Sequence, residues 1–492
     1  MSARVLVVGL DAAEATLLTQ WADDGMLTTL AALRSEGAEL PLSSPMETLP
    51  GAIWPELQTG RSVGRVGQYY HPWQLHTGEA NVRPLAPGEL DGELYYWTAA
   101  ARAGRRTCVV DQPQSVVVHD GDGAVQLAEW GTHDRNFGAD SQPAALLDQV
   151  RAAHGDHPVV RCDSYGSSVE ERRRLLADVE RGLAARSDLL CALLGREGWD
   201  LFVATFTESH CGGHHLWEYF ARGAPADLAG GIPALYRGID TALGRLIAAA
   251  GPDCVTLVVA SHGMGPNVGG PQLVREVLLR LGLVSGSRAR RMVPPALRAW
   301  LRRRAPAVTD TLSRATGLNS PRTRAVALDN NRCAALRLNL EGREPHGSVR
   351  PADAPALLGR IADELRALRL PGTREPIVAD VRTAEELFGP DHHPDLPDLV
   401  VSFRTDLGLI EACESPSVGR VHAPFNPGST RTGDHTPVSR LWVTGHAGAH
   451  LPEQASVLDL APTVLSLLDV DLPPDLDGRP LLGARRGAGR TG

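Results

Sequence analysis

The sequence predicts an α/β fold, a mostly parallel sheet flanked by helices, and three observations carry that reading. Short β-branched runs alternate with helix-period stretches as far as Gly270, the pattern of strand–helix–strand units. The strongest runs are apolar at almost every position, as strands buried on both faces are. Several of them stop at a residue able to bind a metal, and such sheets gather their ligands at the carboxyl ends of the strands.

In chain order, Val5–Leu10 is the first strand and runs into Asp11. Its six apolar residues are too few for a secretory leader, so it reads as structure. Ala13–Glu36 carries leucines at helix spacing, and Cys108–Val110, Gln126–Ala128 and Val159–Val160 are weaker strand signals. Ser168–Glu197 reads as a long amphipathic helix, with leucines at 175, 176, 183, 189, 190, 193 and 194 and charges between them. Leu201–Phe206 is a strand running into Glu208, His210 and His214; Ile232–Ala250 is a helix; Val255–Ala260 is a strand stopping at Ser261-His262-Gly263. Beyond Gly270 the texture changes. Arg288–Arg304 holds seven arginines around Pro294-Pro295 and Trp300, read as a solvated helix or lid, with a polyanion patch as the alternative. From Ala325 an α+β pattern returns, with a strand over Arg332–Leu340, a helix over Ala354–Leu368 and a strand over Leu399–Phe403. These place a smaller inserted α+β lobe at 271–420, between core segments 1–270 and 421–482. Arg440–Thr444 and the helix Val457–Leu468 close the core, and the Gly/Arg-rich tail 483–492 reads as disordered.

Composition narrows the function classes. With 492 residues, 43% of them hydrophobic, the chain can bury a large core or two unequal ones. A net charge of −9 argues against nucleic acid as a partner, and no apolar run approaches membrane-spanning length. Seven cysteines without a Cys-x-x-Cys pair read as reduced thiols of a cytoplasmic protein. Cys211, inside the histidine cluster, reads as a packed thiol.

The candidate ligands are Asp11, Glu208, His210, His214, His262 and His435. On a helix the i, i+4 spacing of His210 and His214 puts both imidazoles on one face, suited to a shared ion. Asn330 and Asn331 precede an alternating strand and read as amide donors to substrate or as a turn. The oligomeric state is not legible.

Taken together these motifs resemble the alkaline phosphatase superfamily, in particular the type I phosphodiesterase/nucleotide pyrophosphatase family. Val-Val-Gly-Leu-Asp11 resembles its first strand and first metal ligand, and Ser44–Gly60 its nucleophile segment. Glu208 to His214 resembles its Asp-x-x-x-His element, and Ala-Ser261-His262-Gly-Met its Ser-Asp-His-Gly-Met. Thr-Gly-Asp-His435 resembles its late histidine, and Val457 to Leu465 with Asp477-Gly-Arg-Pro-Leu its closing helix and turn. The resemblance implies an alkaline-phosphatase-like core and a hydrolase with two divalent ions, usually zinc, with manganese as the alternative. It assigns Asp11, the nucleophile and His262 to one ion, and His210, His214 and His435 to the other. Two such ions about 4 Å apart clamp the attacking and leaving oxygens of an in-line displacement.

Three departures stand out. His210 occupies the place of the first Asp of the pair, leaving Glu208 as another source of a carboxylate. Ser261 replaces the Asp before His262. The nucleophile, counted back from Thr59, falls on Pro50, so Thr48 with a two-residue bulge is the expected nucleophile and metal ligand, with Ser43 and Ser44 as alternatives. Ser43-Ser44-Pro45-Met46-Glu47 lacks the Arg of a sulfatase motif. The expected activity is hydrolysis of a small-molecule phosphodiester or nucleotide pyrophosphate through a phosphothreonine. A phosphomonoesterase or phosphotransferase, and a binding protein on a decayed hydrolase scaffold, are the alternatives.

Overall fold

Arg4–Leu10 (β1) is the middle strand of a nine-stranded sheet. The other strands are Ala38–Ser43 (β2), Thr107–Val110 (β3), Ala124–Ala128 (β4), Asp140–Gln142 (β5), Leu201–Phe206 (β6), Cys254–Ala260 (β7), Ser439–Thr444 (β8) and Ala455–Ser456 (β9), in the order β9-β2-β8-β7-β1-β6-β3-β4-β5. The computed structural model describes residues 3–69, 73–74, 83–84, 89–119, 123–133, 135–196, 198–285, 318, 320–328, 330–425, 430–446 and 451–483. The arginine-rich stretch 288–304 and the tail 484–492 lie outside the described residues.

The sheet is mostly parallel: β7, β1, β6, β3 and β4 run together, while β8 enters antiparallel between β7 and β2, and β5 is antiparallel at the far edge. Side chains alternate between its two faces. Leu6, Val8, Leu10, Phe202, Ala204 and Phe206 join one buried cluster; Val5, Val7, Leu201, Val203, Leu257 and Val259 join the other. Helices cover both: Ala15–Asp23 (α1), Val169–Leu194 (α4) and Gly231–Ala250 (α6) contribute to the first, Ile53–Thr59 (α3) and Leu460–Leu467 (α7) to the second.

The predicted helix 13–36 is two helices, α1 and Thr28–Glu36 (α2), because Gly25 turns the chain at φ 75°. Val159–Val160 is not a strand; it lies in the connection before α4, where Val159 packs into the core and Val160 is exposed. The α+β segment beyond residue 271 forms a four-stranded antiparallel sheet, Ala325–Leu328, Ala334–Leu338, Leu399–Phe403 and Val378–Thr383 in spatial order. Gln272–Arg280 and Ala354–Arg366 pack on it through a cluster of its own.

Register sets the site. Leu10 pairs with Phe206 on one side and Ala260 on the other, so β1, β6 and β7 end in step and release Asp11, the helix Glu208–Arg222 (α5) and His262 at one edge. Past β7, Gly263–Pro266 pairs antiparallel with Gly433–Thr436, setting Met264 opposite His435.

Candidate active site

The three strand ends and the antiparallel pair 263–266/433–436 converge on a buried cluster of imidazoles. Donor atoms of His210, His262 and His435 lie within 4.8 Å of one another. His210 Nε2 is 3.1 Å from His435 Nε2, and the His262 and His435 rings are 4.4 Å apart. Asp11, His133 and His210 form a second set within 4.8 Å, with the His133 ring stacked on His210 at 3.8 Å. Asp11 Oδ1 accepts from Trp54 Nε1 at 2.9 Å, and its Oδ2 lies 3.5 Å from His133 Nδ1.

Backbone contact makes this convergence possible. The N–H of Thr432 donates to the carbonyl of His214 at 2.6 Å, and a Cβ on Gly433 would lie 2.5 Å from the Gly213 carbonyl oxygen. Only glycine lets the late strand come this close to α5. Glu14, at the N-terminus of α1, fixes this strand pair, accepting from the Met264 N–H at 3.0 Å and the Thr436 hydroxyl at 2.5 Å.

Burial decides the electrostatics. It pushes His210, His214 and His435 well below the ordinary imidazole value, and holds His262 down at about 3. The rings are therefore neutral at pH 7, each with one lone pair to offer. His262 Nδ1 faces the Ser261 hydroxyl at 3.0 Å, while its Nε2 is buried with no hydrogen-bond partner among the described residues. Neutral imidazole nitrogens beside one carboxylate form a donor set that fits a borderline-soft divalent ion such as zinc. Two imidazole nitrogens facing each other at 3.1 Å are also what a shared ion would explain.

The structure brings Asp11, His210, His262 and His435 together. His214 lies beside them, its ring 4.4 Å from His210 and 4.8 Å from His435. Its Nδ1 is 2.7 Å from the Gly433 carbonyl and its Nε2 3.3 Å from Arg431 Nη1. Glu208 turns to Arg186, 2.8 Å from its Nε; burial raises its pKa, but Arg186 and His157 bring it down to about 2. Ser261 orients His262, its hydroxyl also 3.4 Å from the Leu10 carbonyl. Thr48 is half-buried after the short turn Pro45–Glu47; its hydroxyl donates to the Pro45 carbonyl at 3.1 Å, and its own carbonyl accepts from Asn330 Nδ2 at 2.7 Å. Arg332 donates to the His435 carbonyl, so two residues of the lobe tie Thr48 and His435 together. Ser43 donates to the Ala455 carbonyl at 3.3 Å, and Ser44 Oγ is 3.4 Å from Ser439 Oγ. Asn331 is exposed at a left-handed turn, φ 51°; Asn330 is the asparagine that reaches the Thr48 segment.

Sequence reasoning missed His133. It follows β4, so the strand-end argument applied to Gln126–Ala128 would have found it. Its loop is well held: Asp111 accepts from the Trp130 and Gly131 N–H groups, each at 2.9 Å, and Glu129 accepts from those of Asn136, Phe137 and Gly138 at 2.9, 2.9 and 2.7 Å. Buried Arg186 binds Asp111 at 2.8 Å and the Gly131 carbonyl, linking this loop to Glu208 at the start of α5. None of the seven cysteines is in a disulfide, and Cys211 and Cys162 are buried beside His210.

Residues 5–422 match the family type I phosphodiesterase / nucleotide pyrophosphatase. The chain belongs to this family. Among solved structures it resembles phosphonoacetate hydrolase from Sinorhizobium meliloti 1021, in its complex with phosphonoacetate, at TM-score 0.55 and 17% identity, over 95% of this chain and 96% of that one. The phosphonoformate complex of the same enzyme gives 0.54 and 16% over the same shares. Murine ectonucleotide pyrophosphatase / phosphodiesterase 5 is similar at TM-score 0.47 and 13% identity, over 96% of both chains. No curated protein matches the sequence. The fold is that of the alkaline phosphatase superfamily, and family membership makes the chain a phosphoester hydrolase of the phosphodiesterase/pyrophosphatase type. No helix among the described residues is long and apolar enough to cross a membrane.

Proposed function

We propose that this protein is a divalent-metal-dependent phosphodiesterase or nucleotide pyrophosphatase acting on a small phosphate ester through a phosphothreonine at Thr48. The observation that carries the reading is the buried set of His210, His262 and His435 beside Asp11 and His133, at the sheet edge to which the Thr48 segment is tied. Asp11 and these neutral imidazoles would hold the ion, with zinc favoured by the nitrogen-rich donors and manganese the alternative. A bound divalent ion polarises a phosphoryl oxygen and favours loss of a proton from a neighbouring hydroxyl.

Thr48 Oγ attacks phosphorus in line, its bond to phosphorus forming as the bond to the leaving oxygen breaks. The leaving group departs as an alcohol, or as a phosphate from a pyrophosphate. Water then attacks the phosphothreonine, releasing a phosphomonoester and restoring the hydroxyl. Asn330 steadies the Thr48 carbonyl, and Trp54 orients Asp11 from the helix that follows the nucleophile.

The test is hydrolysis of bis-p-nitrophenyl phosphate by metal-stripped protein with zinc or manganese restored, run beside Thr48→Ala. The expected result is metal-dependent turnover that falls by roughly a thousandfold or more in the mutant. Turnover surviving in Thr48→Ala would move the nucleophile to Ser43 or Ser44. Absence of turnover with either metal would overturn the diesterase reading.

A further inference from the structure

We infer that this site is built for one divalent ion, with the Arg431 guanidinium supplying the second positive charge to the phosphoryl group. The inference rests on the metal-dependent reading above and concerns what stands beside that ion.

Four observations lead to it. First, the donors include few negative charges. Asp11 is the carboxylate of the two histidine sets; Glu208 is committed to Arg186, and Asp163, which groups with Cys162 and His215, to Arg431. Two divalent ions held by one carboxylate and neutral rings would leave a large uncompensated charge in a buried site, which is costly. Second, His210 belongs to both donor sets, and a neutral imidazole has one lone pair. The two sets therefore cannot each take His210 for an ion of its own. Third, both nitrogens of His214 are engaged. Nδ1 donates to the Gly433 carbonyl at 2.7 Å, which leaves Nε2 to accept from Arg431 Nη1 at 3.3 Å. A cation on Nε2 would have to displace the guanidinium and overcome its charge. Fourth, Ser261 offers a hydroxyl where a carboxylate would carry charge, and that hydroxyl is turned to His262 Nδ1.

Arg431 itself is set like a fixed cation. Asp163 holds its Nε at 2.8 Å and its Nη2 as well, the two-pronged arginine–carboxylate geometry, and leaves Nη1 at the edge of the imidazole cluster. The side chain is 27% exposed, so it borders both the buried donors and solvent, the route by which an anionic ester arrives. There Nη1 donates to a non-bridging phosphoryl oxygen, and no step requires a second ion.

The experiment is to count ions on the full chain by inductively coupled plasma mass spectrometry and by calorimetric zinc titration, then to measure inhibition by inorganic phosphate. One tightly held ion per chain is expected. Arg431→Ala should keep that count while phosphate inhibition weakens at least tenfold, and Arg431→Lys should restore part of it; circular dichroism checks that each variant is folded. Two tight ions in the unaltered protein would overturn this inference and leave the metal-dependent reading standing. No tight ion would overturn that reading itself. Phosphate inhibition unchanged in folded Arg431→Ala would remove the arginine from the site.

Discussion

At the scale of single residues, the site depends on keeping four buried imidazoles, His210, His214, His262 and His435, neutral and aimed. A buried polar atom without a partner costs about 1–3 kcal/mol, more if it is charged, and Nε2 of His262 and Nδ1 of His210 are in that position among the described residues. Such a cost is tolerable where an ion collects the lone pairs. His133 is the most informative member, because its loop is anchored by Asp111, Glu129 and Arg186 and therefore holds the ring in place without metal. His133→Ala should lower zinc affinity by roughly 10–100-fold, the scale typical of disturbing a metal site, while leaving the thermal midpoint of the metal-free protein nearly unchanged. Competition against a chromophoric chelator measures the first quantity. Unchanged affinity would take His133 out of the donor set and leave it as the ring on which His210 stacks.

At the scale of elements, α3 shows how a short helix serves the site. Every residue from Ile53 to Thr59 is buried, Gly60 ends the helix at φ 64°, and Trp54 reaches Asp11. Glu56 lies in this dry environment, accepting from the Val63 N–H at 2.9 Å, and burial raises its pKa from the ordinary 4.5 to about 7. The folded state thus binds this proton more tightly than the unfolded chain. Its stabilising contribution is complete below about pH 4.5 and is lost as pH rises through about 7. The difference corresponds to roughly 3 kcal/mol. Glu56→Gln, whose amide oxygen can still accept from Val63, should flatten that loss. In urea unfolding between pH 5 and 8, the mutant should gain on the unaltered protein steadily as pH rises; a pH-independent difference would show that Glu56 ionises freely in the folded state. The elements themselves were legible in the sequence where burial is two-sided: β1, β6 and β7 are unbroken apolar runs, so both the strand and its chemical terminus could be read. β2, Ala-Glu-Leu-Pro-Leu-Ser, is half-buried and contains proline, and the sequence signal for it is weak. Val159–Val160 misleads for the converse reason: two β-branched residues suffice to suggest a strand but not to make one.

At the scale of the whole molecule, what could not be read was long-range. Arg431 meets Asp163 across 268 residues and Asn330 meets Thr48 across 282, and no local pattern announces either pairing. The second of these joins the lobe to the proposed active site. Besides Asn330 on Thr48 and Arg332 on His435, Cys333 Sγ and Ser402 Oγ donate to the Glu47 carbonyl at 3.1 and 2.8 Å. An apolar seam of Leu49, Ala52, Val63 and Tyr69 from the core with Cys333, Leu396 and Val400 from the lobe lies under them. The lobe therefore acts as a clamp on the backbone that carries Thr48, the proposed nucleophile. A misplacement near 1 Å can cost on the order of a hundredfold in rate, whereas one lost hydrogen bond costs about 1 kcal/mol in stability. Asn330→Ala should accordingly lower kcat on a diester by roughly ten- to a hundredfold, with ion content unchanged and an unfolding free energy lower by only about 1–2 kcal/mol. Steady-state kinetics with metal analysis on the same preparation separate these quantities. A loss confined to stability, with kcat intact, would mean that the lobe braces the fold without setting the position of Thr48.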